Sequence, residues 1–382
     1  MKTLKNGSRG VQVSYLQLIL KSLNLYTGNI DGIFGNNTEN AVTSFQKNVT
    51  INETGIVDQA TWNALVPYAT VPTTINYSYD IMMLNIQRFI LKYPFLNIGT
   101  IGTSIMGKDI PYIQIGFGSN KVLYVGSTHA NEWITSTLLM KFIEDFSDSY
   151  LAETNIFENI STKEIYESTT IIIVPMLNPD GVDLVVDDID KLSNEYINAK
   201  NISLNYPSIP FPSGWKANIS GIDLNLQFPA EWEKAKEIKY NQGYVSPSPR
   251  DFVGNYPLEA PEAISIYDLA ISKDFSLMLT YHTQGEVIYW QFLDFNPSNA
   301  QIYGEIFEKV SGYPLQTTPY SSSFAGFKDW FIQNFNRPGY TIEAGIGINP
   351  LPISQFDKIY NDNIGILTYA ALPIDKINQH KT

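Results

Sequence analysis

The sequence predicts a large α/β domain, with helices covering both faces of a central sheet, preceded by a small three-helix domain. Three observations carry this. The chain has 382 residues, enough for roughly two domains. From about residue 78, short β-branched apolar runs alternate with longer helical patterns, which is the signature of α/β layering. Before that point, three short helical patterns are separated by glycine turns. They end at Val71-Pro72-Thr73-Thr74, which reads as a linker. The expected boundaries are 1–67 for the three-helix domain, 68–77 for the linker and 78–382 for the α/β domain.

The first helical pattern runs through Val11, Val13, Leu16, Leu20 and Leu23, just after Gly10. The turn Gly28-Asn29-Ile30-Asp31-Gly32-Ile33-Phe34-Gly35 follows, and Asn37 or Thr38 can cap a second helix through Ala41, Val42 and Phe45. A second turn around Gly55 leads to a third helix at Thr61, Trp62 and Leu65. In the larger region, strands are expected at Tyr112–Phe117, Lys121–Gly126, Thr169–Met176, Ser276–Tyr281, Glu286–Trp290 and Gly339–Ala344. Helices are expected at Tyr79–Leu91, Thr135–Asp148, Ala260–Ile271, Asn299–Val310 and Gly326–Phe335.

Composition narrows the chemistry. With no cysteine, thiol catalysis, disulfides and Cys-ligated metal sites are excluded. Net charge −13 argues against nucleic acid as a partner, because phosphate binding needs a basic patch. No apolar run reaches the ~18 residues of a membrane helix, and the N-terminus lacks a secretory signal pattern. The expectation is therefore a chain with no membrane partner. It would work in the cytoplasm, including that of a sporulating cell, or on the wall after release by lysis.

Only three histidines are present: His129, His282 and His380. His129 and Glu132 follow the strand ending at Gly126 and can turn toward one point, offering an imidazole nitrogen and a carboxylate oxygen. That pair alone is a weak signal, since acidic residues are common. His282 ends a second predicted strand, and functional groups in α/β sheets gather at strand carboxyl ends. Two His and one carboxylate with an open position is the pattern of one catalytic zinc ion. His380 lies in a polar tail and is assigned no role.

Two resemblances extend this reading. LKNGSRGVQVSYLQLIL, GNIDGIFGNNTENAVTSFQ and GIVDQATWNAL resemble the peptidoglycan-binding domain of bacterial wall hydrolases. That resemblance implies peptidoglycan as a partner, with Tyr15, Tyr26 and Trp62 as aromatic candidates for stacking on sugar. Residues 78–375 resemble the zinc carboxypeptidase family, on ordered landmarks. These are Gly102 to Lys108, His129-Ala130-Asn131-Glu132-Trp133, Asn178-Pro179-Asp180-Gly181, Trp215-Lys216-Ala217-Asn218, Asp223-Leu224-Asn225, Tyr281-His282 and Thr341-Ile342-Glu343. The resemblance implies a mixed central sheet with helices on both faces, and zinc held by His129, Glu132 and His282. It implies Glu343 as general base, and Lys216 as the cation facing the developing oxyanion, where the family has arginine. Tyr320 falls near the family's mobile-loop tyrosine, one residue out of spacing.

The departures point to a particular substrate. The family grips a terminal carboxylate with arginines, and here those positions hold Asn131 and Leu226, beside Asn225. Bidentate capture by arginine is hard to replace with leucine. The variants resemble the branch of bacterial γ-D-glutamyl-L-diamino acid endopeptidases. That branch cuts the bond from γ-D-glutamate to meso-diaminopimelate or lysine in stem peptides of peptidoglycan. Arg250 or Lys328 is then expected to pair with a stem-peptide carboxylate; the alternative for each is a surface charge. Competing readings are a carboxypeptidase trimming stem-peptide ends, a wall-binding protein with an inactive peptidase domain, and a zinc deacylase acting on small amides.

Overall fold

The β-branched runs of the larger region pair into one mixed sheet of eight strands. A computed structural model describes residues 1–377, and His380 lies outside the described residues. The strands are β1 (Asn97–Thr103), β2 (Asp109–Ile115), β3 (Asn120–Val125), β4 (Asn155–Phe157), β5 (Ile160–Ser161), β6 (Thr169–Val174), β7 (Leu277–His282), β8 (Val287–Tyr289), β9 (Leu315–Gln316) and β10 (Gly339–Glu343). The large sheet has the order β1-β2-β6-β3-β7-β10-β8-β9, and β4 pairs with β5 apart from it. Its centre, β6-β3-β7-β10, is parallel, while β1, β2 and β8 join antiparallel.

Side-chain alternation divides the interior. Val122, Tyr124, Leu277, Leu279 and Tyr281 face a core shared with Leu138, Phe142 and Phe146 of the helix Ile134–Leu151. Leu123, Val125 and Met278 face a second core with Ile266 of the helix Pro261–Ser272 and Trp330 of the helix Phe327–Phe335. Both faces are covered, as a parallel sheet requires. The five expected helices and six expected strands of this region are present within a few residues. Strand β1, the pair β4-β5 and the short β9 are additional.

The N-terminal residues form α1 (Val11–Ser22), α2 (Asn36–Asn48) and α3 (Gln59–Leu65). Two buried glutamines hold the intervening turns. Gln17 Oε1 accepts from the Asp31 and Gly32 amides at 3.0 Å each, and Gln46 Oε1 accepts from Gly55 at 2.9 Å. Gly32 and Gly55 both have φ of +68°, where a side chain is strained. Tyr15 and Trp62 are fully buried and Tyr26 is nearly so. These aromatics fill the core, so their ring faces are not open to sugar, which corrects that expectation.

The segment expected as a linker is packed. Ala69, Val71, Ile75 and Tyr77 are buried in the core that also runs through the helix α4 (Tyr79–Lys92). A buried network ties the units together. Asn85 donates to the Tyr15 hydroxyl at 2.6 Å and to the Ala69 carbonyl at 2.8 Å, and accepts from the Tyr77 hydroxyl at 2.6 Å. Nearby, Lys2 pairs with Asp188 at 2.7 Å, and the buried Gln12 donates to Asp80 at 2.8 Å. No helix among the described residues is long and apolar enough to cross a membrane.

Candidate metal centre and catalytic cleft

Three adjacent parallel strands, β3, β7 and β10, deliver the centre at their carboxyl ends. His129 and Glu132 lie just beyond β3, on a one-turn helix at Ala130–Glu132. His282 is the last residue of β7, and Glu343 the last of β10, directly opposite it in register. The loops are held by backbone and amide contacts. The Ala130 amide donates to the Lys216 carbonyl at 3.0 Å. Asn178 Nδ2 donates to the carbonyls of Thr128 and Ala217, at 3.3 and 3.1 Å.

His129 Nδ1 lies 3.0 Å from Glu132 Oε2, and His282 Nδ1 lies 2.9 Å from both of these atoms. Two imidazole nitrogens and a carboxylate oxygen thus converge on one point. Their spacing is under the ~3.4 Å that tetrahedral zinc with bonds near 2.1 Å sets between its ligands. The donor set and its geometry fit one zinc ion. Among the described residues, these three form the group of His and acidic side chains placed to share a metal. Burial works against charge on Glu132, but the two imidazoles hold its carboxyl well below the usual range.

Asp223, to which sequence reasoning gave no role, stands behind the centre. Its Oδ1 is 3.2 Å from His129 Nε2, leaving Nδ1 to face the metal point. This carboxylate–histidine pairing orients a ligand and raises its basicity. Asp223 also accepts from the Asn225 and Asp251 amides, at 3.1 Å each. Burial disfavours its charge, yet His129 and Lys216 keep its carboxyl well below the ordinary range.

The Glu343 carboxylate faces the same cleft and makes no hydrogen bond among the described residues. Burial, reinforced by the charge of Glu132 and opposed by His282 and Lys216, pushes its pKa up to about 7. A carboxyl poised there can both accept and return a proton near neutrality. Burial opposes the charge of Lys216, but Asp223 and Glu132 raise its pKa, so it stays cationic. Its Nζ is likewise without a hydrogen-bond partner among the described residues, free to meet a developing anion.

His129, Glu132, Lys216 and Glu343 line a cavity of about 670 Å³ together with Asn131, Asn225, Arg250 and Lys328. That is the scale of a small-molecule or short-peptide site. Asn131 is buried, with its Oδ1 unpartnered. Asn225 Oδ1 accepts from the Phe327 amide at 3.1 Å. Leu226 is buried in the second core. Lys328 is buried beside Asp329 and donates to the Gln291 carbonyl at 2.7 Å. Tyr320 is not brought into the cavity lining. It is 66% exposed on a one-turn helix at the rim, its ring packed on Phe324 with Lys234 above it.

A two-histidine, one-carboxylate centre with an adjacent free glutamate defines a zinc-dependent peptidase. The matches with known proteins then give the lineage. Residues 82–365 match the family described as zinc carboxypeptidase, and residues 9–65 match the putative peptidoglycan binding domain. The chain belongs to the zinc carboxypeptidase family and is a metallopeptidase with an N-terminal peptidoglycan-binding-type domain. It is 46% identical over 292 residues to gamma-D-glutamyl-L-diamino acid endopeptidase 1 of Lysinibacillus sphaericus, covering 76% of this chain and 71% of that one. It is 38% identical over 284 residues to the uncharacterized protein YqgT of Bacillus subtilis, covering 74% and 73%. In fold it resembles bovine thrombin-activatable fibrinolysis inhibitor, with TM-score 0.59, 15% identity, and coverage of 80% of this chain and 98% of that one. Carboxypeptidase A from Helicoverpa armigera gives TM-score 0.56 at 16% identity, with 94% and 95% covered. At such identities the likeness concerns the fold alone.

Proposed function

We propose that the protein hydrolyses the bond between γ-D-glutamate and a diamino acid, meso-diaminopimelate or lysine, in peptidoglycan stem peptides. Residues 1–67 hold it on wall polymer, 68–77 join the two parts, and 78–382 carry the chemistry. The observation that carries this reading is a complete centre with Leu226 in the lining of the side pocket it shares with His129 and Lys216, at the position where the resemblance to zinc carboxypeptidases places a carboxylate-gripping arginine. The name of the Lysinibacillus relative and the match to a wall-binding domain support the same substrate.

In this reading His129, Glu132 and His282 hold zinc, and Asp223 fixes the orientation of His129. Zinc, when bound, supplies Lewis acidity toward the scissile carbonyl and acidifies water. Glu343 takes a proton from the attacking water and passes it to the leaving amine nitrogen. Lys216 Nζ donates to the oxygen that gains charge as the carbonyl is attacked. Asn131 and Asn225 orient the peptide from the cleft wall, and Lys328 faces its polar end. Tyr320, at the rim, meets only the outer part of a bound chain.

Mass spectrometry of stem tripeptide and tetrapeptide, incubated with wild type and with Glu343→Gln, tests this. Wild type should release the diamino acid from the tripeptide and diaminoacyl-D-alanine from the tetrapeptide. Glu343→Gln should be slower by about 10²–10⁴-fold. Release of single D-alanine from the tetrapeptide would instead show end-trimming, and equal rates would remove Glu343 as the base.

A further inference from the structure

A stem peptide brings negative charge into a cleft that already holds Glu132 and Glu343. The γ-linked D-glutamyl residue keeps its α-carboxylate, and meso-diaminopimelate adds another on its side chain. Each carboxylate that leaves water needs a cationic partner. The cleft offers Lys216, Lys328 and Arg250. Lys216 faces the metal ligands. Lys328 is only 4% exposed, sits 2.6 Å from Asp329 and already donates to the Gln291 carbonyl. Arg250 differs from both. Its side chain is 45% exposed and uses Nε alone, on Asp251 Oδ2 at 2.6 Å. Its two terminal nitrogens make no hydrogen bond among the described residues.

Arg250 is also held in place. The other oxygen of Asp251 is paired with Lys239 at 2.6 Å. The Asp251 amide donates to Asp223 Oδ2 at 3.1 Å, and Asp223 orients His129. One residue before Arg250, the Pro249 carbonyl accepts from the amides of Lys216 and Ala217, at 2.7 and 2.9 Å. Asp251 itself has φ of +66°, a conformation that costs energy and is kept by these contacts. The loop bearing Arg250 is therefore fastened both to the carboxylate behind a metal ligand and to the backbone of Lys216. A side pocket of about 540 Å³ opens from the cleft between Lys216, Asn225 and Arg250.

We propose that Arg250 is the specificity residue that reads a substrate carboxylate, in place of the arginines absent at positions 131 and 226. This rests on the stem-peptide reading above. The free edge of the guanidinium offers two parallel donors to one carboxylate, the geometry that favours arginine over lysine. The carboxylate is either the α-carboxylate of the γ-D-glutamyl residue or the side-chain carboxylate of diaminopimelate.

Three tripeptides separate the sources: L-Ala-γ-D-Glu-meso-diaminopimelate, the same peptide ending in L-lysine, and the lysine peptide with its glutamyl α-carboxyl amidated. Arg250→Met should raise KM by roughly 10- to 30-fold with kcat little changed, and Arg250→Lys should fall between. If the penalty vanishes only on amidation, the partner is the glutamyl carboxylate. If it is confined to the diaminopimelate peptide, the partner is that side chain. A penalty common to all three peptides, absent from all three, or expressed in kcat alone overturns the proposal. Calorimetric binding of the same peptides to Glu343→Gln, with and without Arg250→Met, makes the comparison without turnover. Wild type that cleaves none of them would sink the substrate reading. The binding ratio still decides Arg250: a ten-fold loss supports it, and no loss overturns it.

Discussion

Replacing Asn85 by alanine should loosen the N-terminal three-helix unit and the peptidase together. Asn85 is fully buried on α4, yet it contacts Tyr15 of α1 and the chain that joins the two units. Truncation leaves two groups in a dry core with no partner. The Tyr77 hydroxyl loses its acceptor and the Ala69 carbonyl loses its donor, whereas Tyr15 keeps the Thr70 carbonyl at 2.7 Å. Each orphaned polar group costs about 1–3 kcal/mol, so the variant should be destabilised by about 3 kcal/mol. Urea titration with two readouts, peptide hydrolysis for the larger unit and wall-fragment binding for the smaller, measures this. Both should be lost at the same, lowered midpoint, because one continuous core joins the units. A shift worth less than ~1 kcal/mol, or two well-separated midpoints, would refute the coupling.

Two further outcomes are expected. Asp223→Asn should weaken zinc binding by roughly 10- to 100-fold, measured by chelator competition, because the amide cannot hold His129 as the carboxylate does; unchanged affinity would dismiss Asp223 as an orienting group. Glu262→Gln should change stability in a pH-dependent way. Burial, helped by nearby Asp180, raises the Glu262 pKa from 4.5 to about 7. The stability its neutral form contributes is therefore complete below the unfolded value and is lost as pH rises through about 7. Glutamine should thus stabilise the protein at pH 8, by up to the order of 3 kcal/mol, and much less at pH 5. An equal effect at both pH values would contradict this.

What could be read from the sequence follows from scarcity and periodicity. His129 and His282 stood out because histidine is rare in this chain, whereas Glu343 was marked only by the family resemblance, since a glutamate closing an apolar run is no signal by itself. The central strands were legible because burial on both faces writes them as unbroken apolar runs, such as Thr169–Val174. Strand β1, NIGTIGT, was not, because an edge strand with two glycines and half-exposed positions carries no clear alternation. Asp223 is one of 38 acidic residues, and its partner lies 94 residues away. Nothing local marks it as the group behind a metal ligand. Asn85 was hidden for the same reason: its contacts with Tyr15 and Ala69 span 70 and 16 residues.

The centre depends on register more than on any single motif. β7 and β10 are parallel neighbours, with Glu343 level with His282 and Ile342 level with Tyr281. Tyr281 and Ile342 point into one core, so His282 and Glu343 point the opposite way, His282 onto His129 and Glu132 and Glu343 into the cleft. Strand side chains alternate with a period of two, so a slip of one residue between these strands would put Ile342 level with His282 and break the pairing of metal ligand with base. The apolar side chains that alternate with the chemical ones resist that slip, because it would also expose core residues. Tyr281 and Ile342 therefore act on catalysis without touching substrate: the hydrophobic pattern that forms the sheet also sets where the proton acceptor stands relative to the metal ligands.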